Sequence, residues 1–324
     1  MTRRGHGPAG PDLAGAGLVV LAAVCFGTLG PLSRFATEAG VDSLTLVTWR
    51  AAIGGLVVTA FIGLRLVALG VRPASLRSLA ARDRWFMVAA AAANTILNLS
   101  AFIAFERIEI ALTLLVFYLY PAGVALASVI WFGDRLDGLR WTALGISLIG
   151  MALVVAGSGS LGGVDPLGIC LAFVAALAQV FYVLAARHGF ARIPGPQAAA
   201  LTMLGAAALY LVIGVALGSV GSLGQPLASS AAAIPVLLAG VIGAGIPTLA
   251  FILGIRRLGA ARAAILATLE PIVGVGLAAW LLAEQPAPIQ VAGGALILAA
   301  AVILQLRPRS AVADHEAVES QTRA

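Results

Sequence analysis

The sequence has no lysine: its 20 basic residues are all arginine. Charged residues of both signs make up only 10% of the 324 positions, where a soluble domain has about a quarter. A chain this poor in charge cannot clothe a water-facing surface, which excludes a soluble enzyme and a disordered chain. Cysteine is almost absent. Cys25 and Cys170 lie in apolar segments, lack CxxC spacing and have no histidine beside them, so the reading is free thiols packed among helices and not a disulfide scaffold. There is no GxxxxGK[ST] and hence no ATP motor, and no HExxH. The three histidines, His6, His188 and His315, fall in loops or tails, so no metal and no cofactor is expected. No long basic run or basic–aromatic interleaving exists. The formal net charge of +6 therefore reads as loop charge, not as a nucleic-acid surface.

What the chain has in excess is apolar residue, at 61%. A helix crossing a ~30 Å hydrocarbon layer needs about 20 such residues. Ten runs qualify: 13–32, 43–69, 85–105, 110–132, 141–157, 166–186, 197–217, 231–255, 260–283 and 287–306. Only the polar tails, 1–12 and 307–324, remain outside them, and both are expected to be disordered. The prediction is an all-α integral membrane protein of ten transmembrane helices. The first run follows Arg3 and Arg4 but is long and lacks a clear cleavage site, so it reads as a retained helix.

The arginines orient the chain. With the N-terminus in the cytoplasm, 17 arginines fall inside and only Arg34 and Arg107 outside, with Arg50 inside a helix. Both termini are then cytoplasmic. Trp85 and Trp141 begin predicted helices and Trp131 ends one, as an aromatic belt requires.

The chain repeats itself. At an offset of 150 residues, Arg107 falls on Arg257, Ala111 on Ala261, Leu119 on Leu269 and Pro121 on Pro271, while Asp134 falls on Glu284. Five helices per copy is an odd number, so the second copy enters the membrane inverted, a recurring design of secondary transporters with substrate near the midplane. Asp134 and Glu284, at loop starts, read as solvated or helix-capping.

These residues resemble the drug/metabolite transporter superfamily, in its ten-helix type with two EamA repeats. The first copy carries Phe26-Gly27-Thr28, Trp49-Arg50, Tyr120-Pro121, Asp134 and Leu144-Gly145 with Gly150. The second carries Leu269-Glu270-Pro271-Ile272-Val273, Glu284, Gln290 and Gly293-Gly294-Ala295-Leu296-Ile297-Leu298. The copies are expected at 13–157 and 166–306. Asp134 stands where the family usually has Glu, and Phe26 and Gln179 where many members have Trp. The resemblance implies efflux or uptake of small metabolites, often amino acids or amphipathic compounds, by alternating access.

A charge inside a membrane helix costs about 2.5–3.5 kcal/mol on insertion scales, so each instance demands a reason. Glu270 lies ~15 Å into its run and Arg50 ~10 Å into its own, depths close enough for a pair across the repeat interface. Glu270 reads as a substrate-amine or proton site, or else as a carboxyl bonded to neighbouring helices. Arg50 reads as a clamp for a substrate carboxylate, or else as a structural ion pair or a side chain reaching toward the outer interface. Asn94 and Asn98 share a helix face that must turn inward, either to line the pathway or to bond between helices. Tyr118, Tyr120, Gln179, Tyr182 and Thr268 are further lining candidates, while Phe102 and Trp280 read as packing. Gly27, Gly30, Pro31, Pro121, Pro247 and Pro271 are candidate hinges. The expected function is a bacterial inner-membrane secondary transporter exporting small amphipathic metabolites such as amino acids. Its partners are a small-molecule substrate, membrane lipid and protons. A nucleotide-sugar, lipid or drug carrier of the same fold is the alternative, ahead of an intramembrane lipid-modifying enzyme.

Overall fold

The computed structural model describes residues 12–75, 80–132, 138–157, 165–189, 193–258, 263 and 266–305. Among these residues there is no strand. Helices α1 (Leu13–Gly27) and α2 (Leu29–Glu38) form one stretch interrupted at Thr28, followed by α3 (Ser43–Leu69) and α4 (Ala81–Arg107). A second interrupted stretch comprises α5 (Ile110–Phe117) and α6 (Tyr120–Phe132). Then come α7 (Gly138–Gly157), α8 (Pro166–Gly189), α9 (Gly195–Ala216) and a 3₁₀ helix at Val220–Leu227. Helices α10 (Ser230–Gly240) and α11 (Ile246–Leu258) are joined by a π-helical segment, Val241–Gly245. The last two are α12 (Leu269–Leu282) and α13 (Pro288–Gln305).

Seven of the helical stretches are long and apolar enough to cross a membrane, and Trp141–Val154, Leu269–Leu282 and Pro288–Ile303 are shorter apolar helices. Large apolar side chains stay exposed on their outer faces, such as Leu64, Val67, Val212 and Ile130. Such a surface is stable only against lipid. The interior is the opposite: it is rich in alanine and glycine, which lets backbones approach closely. A Cβ on Gly150 would lie 2.6 Å from the Gly293 carbonyl, so α7 and α13 meet backbone to backbone.

Local chemistry sets where helices start. Asp42 accepts from the Thr45 amide at 2.8 Å at the head of α3, and Ser229 accepts from Ala232 at 3.2 Å at the head of α10. Pro31, Pro121, Pro247 and Pro271 each fall within the first three residues of α2, α6, α11 and α12. For Pro31, Pro121 and Pro271 the missing N–H has no intrahelical partner to lose, so each marks a fresh start within an apolar run, whereas Pro247 follows the π-helical segment inside a continuous helix and leaves the Gly243 carbonyl without its i+4 donor.

Packing pairs α4 with α8 and α1 with α11, α3 with α9, α7 with α13, and α5 with α12. Three expectations need correction. The first apolar run does not stop at 32: it continues as the amphipathic α2, which buries Gly30, Pro31, Ser33 and Ala36. Arg34 therefore lies on a helix and not in a loop. Cys170 is exposed, and only Cys25 is packed inside. Trp280 is 79% exposed, so it faces outward and is not interior packing. Asp134 and, apart from Asp12, both terminal tails lie outside the described residues.

Candidate functional site

The interruptions converge. A Cβ on Gly27, the last residue of α1, would stand 3.1 Å from the Glu270 carbonyl oxygen at the start of α12. Leu29, opening α2, packs on Gly243 of the π-helical segment. Tyr118, in the turn between α5 and α6, is buried and points its hydroxyl at the Ala267 carbonyl, 3.5 Å away. Helices break here because proline and glycine sit at the same depth in several of them, and the pairing of α1, α5 and α12 brings those depths together.

Two charged groups face this region. Arg50 projects from α3; its Nη1 donates to Asn98 Oδ1 at 2.7 Å and its Nη2 to the Gly243 carbonyl at 3.2 Å. Its guanidinium also lies over the Phe102 ring, 5.4 Å from the centroid. Its Nε is buried without a partner. Asn98 Nδ2 in turn donates to Asn94 Oδ1 at 2.8 Å and to the Asn94 carbonyl at 2.9 Å, which orients the amide oxygen toward Arg50. Tyr210 of α9 closes the network, donating to the Thr95 carbonyl at 3.1 Å.

Glu270 is half-buried at the first turn of α12, its side chain within hydrogen-bonding reach of Tyr118. Tyr118, Tyr120 and Phe117 form an aromatic group beside it, with centroids 5.3–5.8 Å apart. Arg50 and Glu270 are near enough to act electrostatically on each other. They nevertheless form no ion pair; the pairs among the described residues are Arg34–Glu284 and Arg107–Asp165. The direct pair that the depths allowed is not made, because Arg50 is already turned toward α4 and the π-helical segment.

The structure therefore gathers Arg50, Asn94 and Asn98 into one cluster and Glu270, Tyr118 and Tyr120 into another, with the half-buried Thr268 in the turn before α12. Tyr182 of α8 is half-buried and within reach of Thr202 on α9. Gln179 is half-buried on α8 and shows no hydrogen bond to another described residue. Sequence reasoning missed the Gly243 carbonyl as an acceptor for Arg50, Tyr210 and the stacking role of Phe102. The run of small residues at 239–245 and Pro247, which has no N–H for the Gly243 carbonyl, are the sequence signals of the irregular backbone that frees this carbonyl for Arg50.

A cavity of about 980 Å³ opens where α2, α4 and α12 end and α5 and α13 begin. Charge lines it: Arg34, Glu38, Arg107, Glu109, Asp165 and Glu284. Glu284 accepts from the amides of Ile110 at 3.1 Å and Ala111 at 3.3 Å, so it caps α5 as the sequence suggested. Arg107 pairs with Asp165 at 2.7 Å. That guanidinium and the Leu167 amide hold the Asp165 carboxyl below its ordinary value, while partial burial and the charge of Glu284 push Glu109 up.

The sequence matches the EamA-like transporter family twice, over residues 13–156 and 166–306. It is 28% identical over 290 residues to an "Uncharacterized transporter" of Archaeoglobus fulgidus, an alignment covering 89% of this chain and 95% of the relative. A crystal structure of a protein with 23% sequence identity shares the fold at a TM-score of 0.60, over 90% of this chain and 96% of that one. Both halves of an all-helical, lipid-compatible chain thus match one family, and the protein belongs to the EamA-like transporter family as a multi-pass membrane protein.

Proposed function

We propose that this chain is a secondary transporter that carries small amphipathic metabolites, amino acids or related compounds, out across the bacterial inner membrane by alternating access. Family membership and the name of the archaeal relative point to a transporter and away from an enzyme. One observation carries the finer reading. Glu270 and Arg50, of opposite charge, face the same interior without pairing with each other. Unpaired opposite charges at membrane depth suit a substrate that supplies both partners, an ammonium for Glu270 and a carboxylate for Arg50.

Ten spans arranged as two inverted copies of five is the architecture we favour. The helix pairings support it: α4 with α8 has its counterpart in α11 with α1, while α3–α9 and α7–α13 pair each span with its own repeat mate. Rocking of the copies would hinge at Gly27, Gly30, Pro31, Pro121, Pro247 and Pro271, and the charged vestibule would be the outward mouth. Asn94, Asn98, Tyr118, Tyr120, Gln179, Tyr182 and Thr268 would line the path, and Glu270 would exchange a proton for substrate.

The test is flux in liposomes of purified protein with verified insertion, across a panel of amino acids and amphipathic amines. We expect saturable, pH-gradient-driven flux that Glu270→Gln uncouples while the variant still folds. Absence of flux across the panel, or full coupling in Glu270→Gln, overturns the reading.

A further inference from the structure

A second, separate concavity lies on the outer face of the bundle between α4 and α8. It has a volume of about 330 Å³ and a wholly apolar wall, built from Trp85, Val88, Ala92 and Ile96 of α4 with Ala178 and Phe181 of α8. The α4 residues follow the spacing of one helix face, so the groove runs along the helix and not across it. From Trp85 to Ile96 the helix rises about 16 Å, close to the depth of one hydrocarbon leaflet.

The same helix face continues one turn below Trp85 to Arg82. Arg82 is exposed and its guanidinium rests 5.6 Å from the centroid of Phe86. Arg84 is exposed beside it. Asp83 lies between them, yet among the described residues neither arginine forms an ion pair. Trp85, 70% exposed, stands at the junction of the charged and apolar parts, where an indole belongs at a membrane–water boundary.

We infer that this groove binds one anionic phospholipid, with an acyl chain along α4 and α8 and the phosphate against Arg82. Charge complementarity selects the occupant: an unpaired cation at the boundary end of an apolar slot of leaflet depth matches a lipid with an anionic headgroup. A helix of a second copy fits worse, since a stable protein interface is a broad face, whereas this is a narrow slot of about 330 Å³ with an exposed cation at its end. The bound lipid would bridge the two helices that carry one of the main contacts between the halves of the chain. The inference does not depend on what the protein transports.

The experiment is native mass spectrometry of the full chain released from nanodiscs holding phosphatidylglycerol and phosphatidylcholine in equal amounts. Wild-type protein should retain lipid enriched in phosphatidylglycerol. Arg82→Gln should cut that enrichment about fivefold, the effect of one boundary cation. Ala92→Phe, which fills the slot, should lower retained lipid of both kinds. Ile96→Trp, at a 51% exposed position, does the same if Ala92→Phe does not fold. Val212→Phe, on the exposed face of α9, should change neither. Equal retention of the two lipids by wild type, or unchanged enrichment in Arg82→Gln, overturns the inference. So does an Ala92→Phe variant that dissociates a dimer without losing lipid.

Discussion

Glu284 caps a helix from the other half of the chain: its Oε1 accepts from the Ile110 amide at 3.1 Å. Its other oxygen reaches Ala111, and Arg34 stands 3.6 Å away. The first amides of a helix have no partner within it, so a carboxylate placed there satisfies donors and meets the positive end of the helix dipole. One side chain thus ties α2, α5 and the end of α12 together at the mouth of the vestibule.

Removing that carboxylate should therefore loosen the vestibule end of the bundle. Glu284→Ala is expected to destabilise the protein by about 1–2 kcal/mol, the range of a lost cap with a charge-assisted bond. Glu284→Gln keeps one acceptor and should cost less. Thermal unfolding in detergent measures both; an Ala variant as stable as wild type would show that the cap contributes nothing.

Arg50 reaches acceptors on two elements and stacks on a ring, which a lysine cannot reproduce with a single ammonium. Arg50→Lys should keep the charge but lose the fork, raising the substrate concentration for half-maximal flux roughly tenfold, the equivalent of one good hydrogen bond to a charge. Phe102→Leu should show a smaller shift in the same direction. Unchanged flux kinetics in Arg50→Lys would mean that the guanidinium is structural only.

Glycine is needed where two backbones touch. A Cβ on Gly293 would stand 2.5 Å from the Gly150 carbonyl, and neither backbone can yield as a side chain could. Gly150→Ala and Gly293→Ala should each destabilise by about 1–3 kcal/mol, as overpacking does. Gly145→Ala is the control, because a Cβ there meets nothing within 4 Å. Equal thermal stability of all three variants would disprove the close approach of α7 and α13.

The vestibule carboxyls should titrate in opposite senses. Glu109 is raised, so its favourable contribution is present below the ordinary carboxylate value and is lost as pH climbs through its native value. Glu109→Gln should then raise the melting temperature at neutral pH and do nothing near pH 4. Asp165 is lowered, so its contribution is present at neutral pH and is lost as pH falls through its native value. Asp165→Asn should lower the melting temperature at neutral pH, with the gap closing in acid. Both groups reach solvent, so the shifts should be small and should shrink in high salt. The same sign for both variants would contradict the geometry.

Much was readable along the chain because lipid imposes simple rules. Length and apolarity located the apolar helical stretches, seven of them long enough to span a membrane, and Pro121 and Pro271 marked the starts of α6 and α12. Glu270 and Arg50 stood out because charge is rare in such runs. Other features were not readable for equally physical reasons. The extension of α2 to Glu38 depends on burial of one face against α10, which no apolar run announces. Pro247, which has no N–H for the Gly243 carbonyl four residues earlier, marks where that carbonyl is freed, but that Arg50 of α3 takes it depends on how the two helices pack.

Composition and periodicity by themselves determined that this chain lives in lipid as a bundle of apolar helices in two related halves. They also singled out the few polar groups that the helices carry inward, because each such group must be repaid by a partner. Which partner each one finds was decided only by tertiary structure. Arg50 goes to Asn98 and Gly243 and leaves Glu270 unpaired; Glu284 goes to Ile110 across the halves. Those choices depend on angles and distances between helices far apart in sequence, which composition and periodicity do not encode.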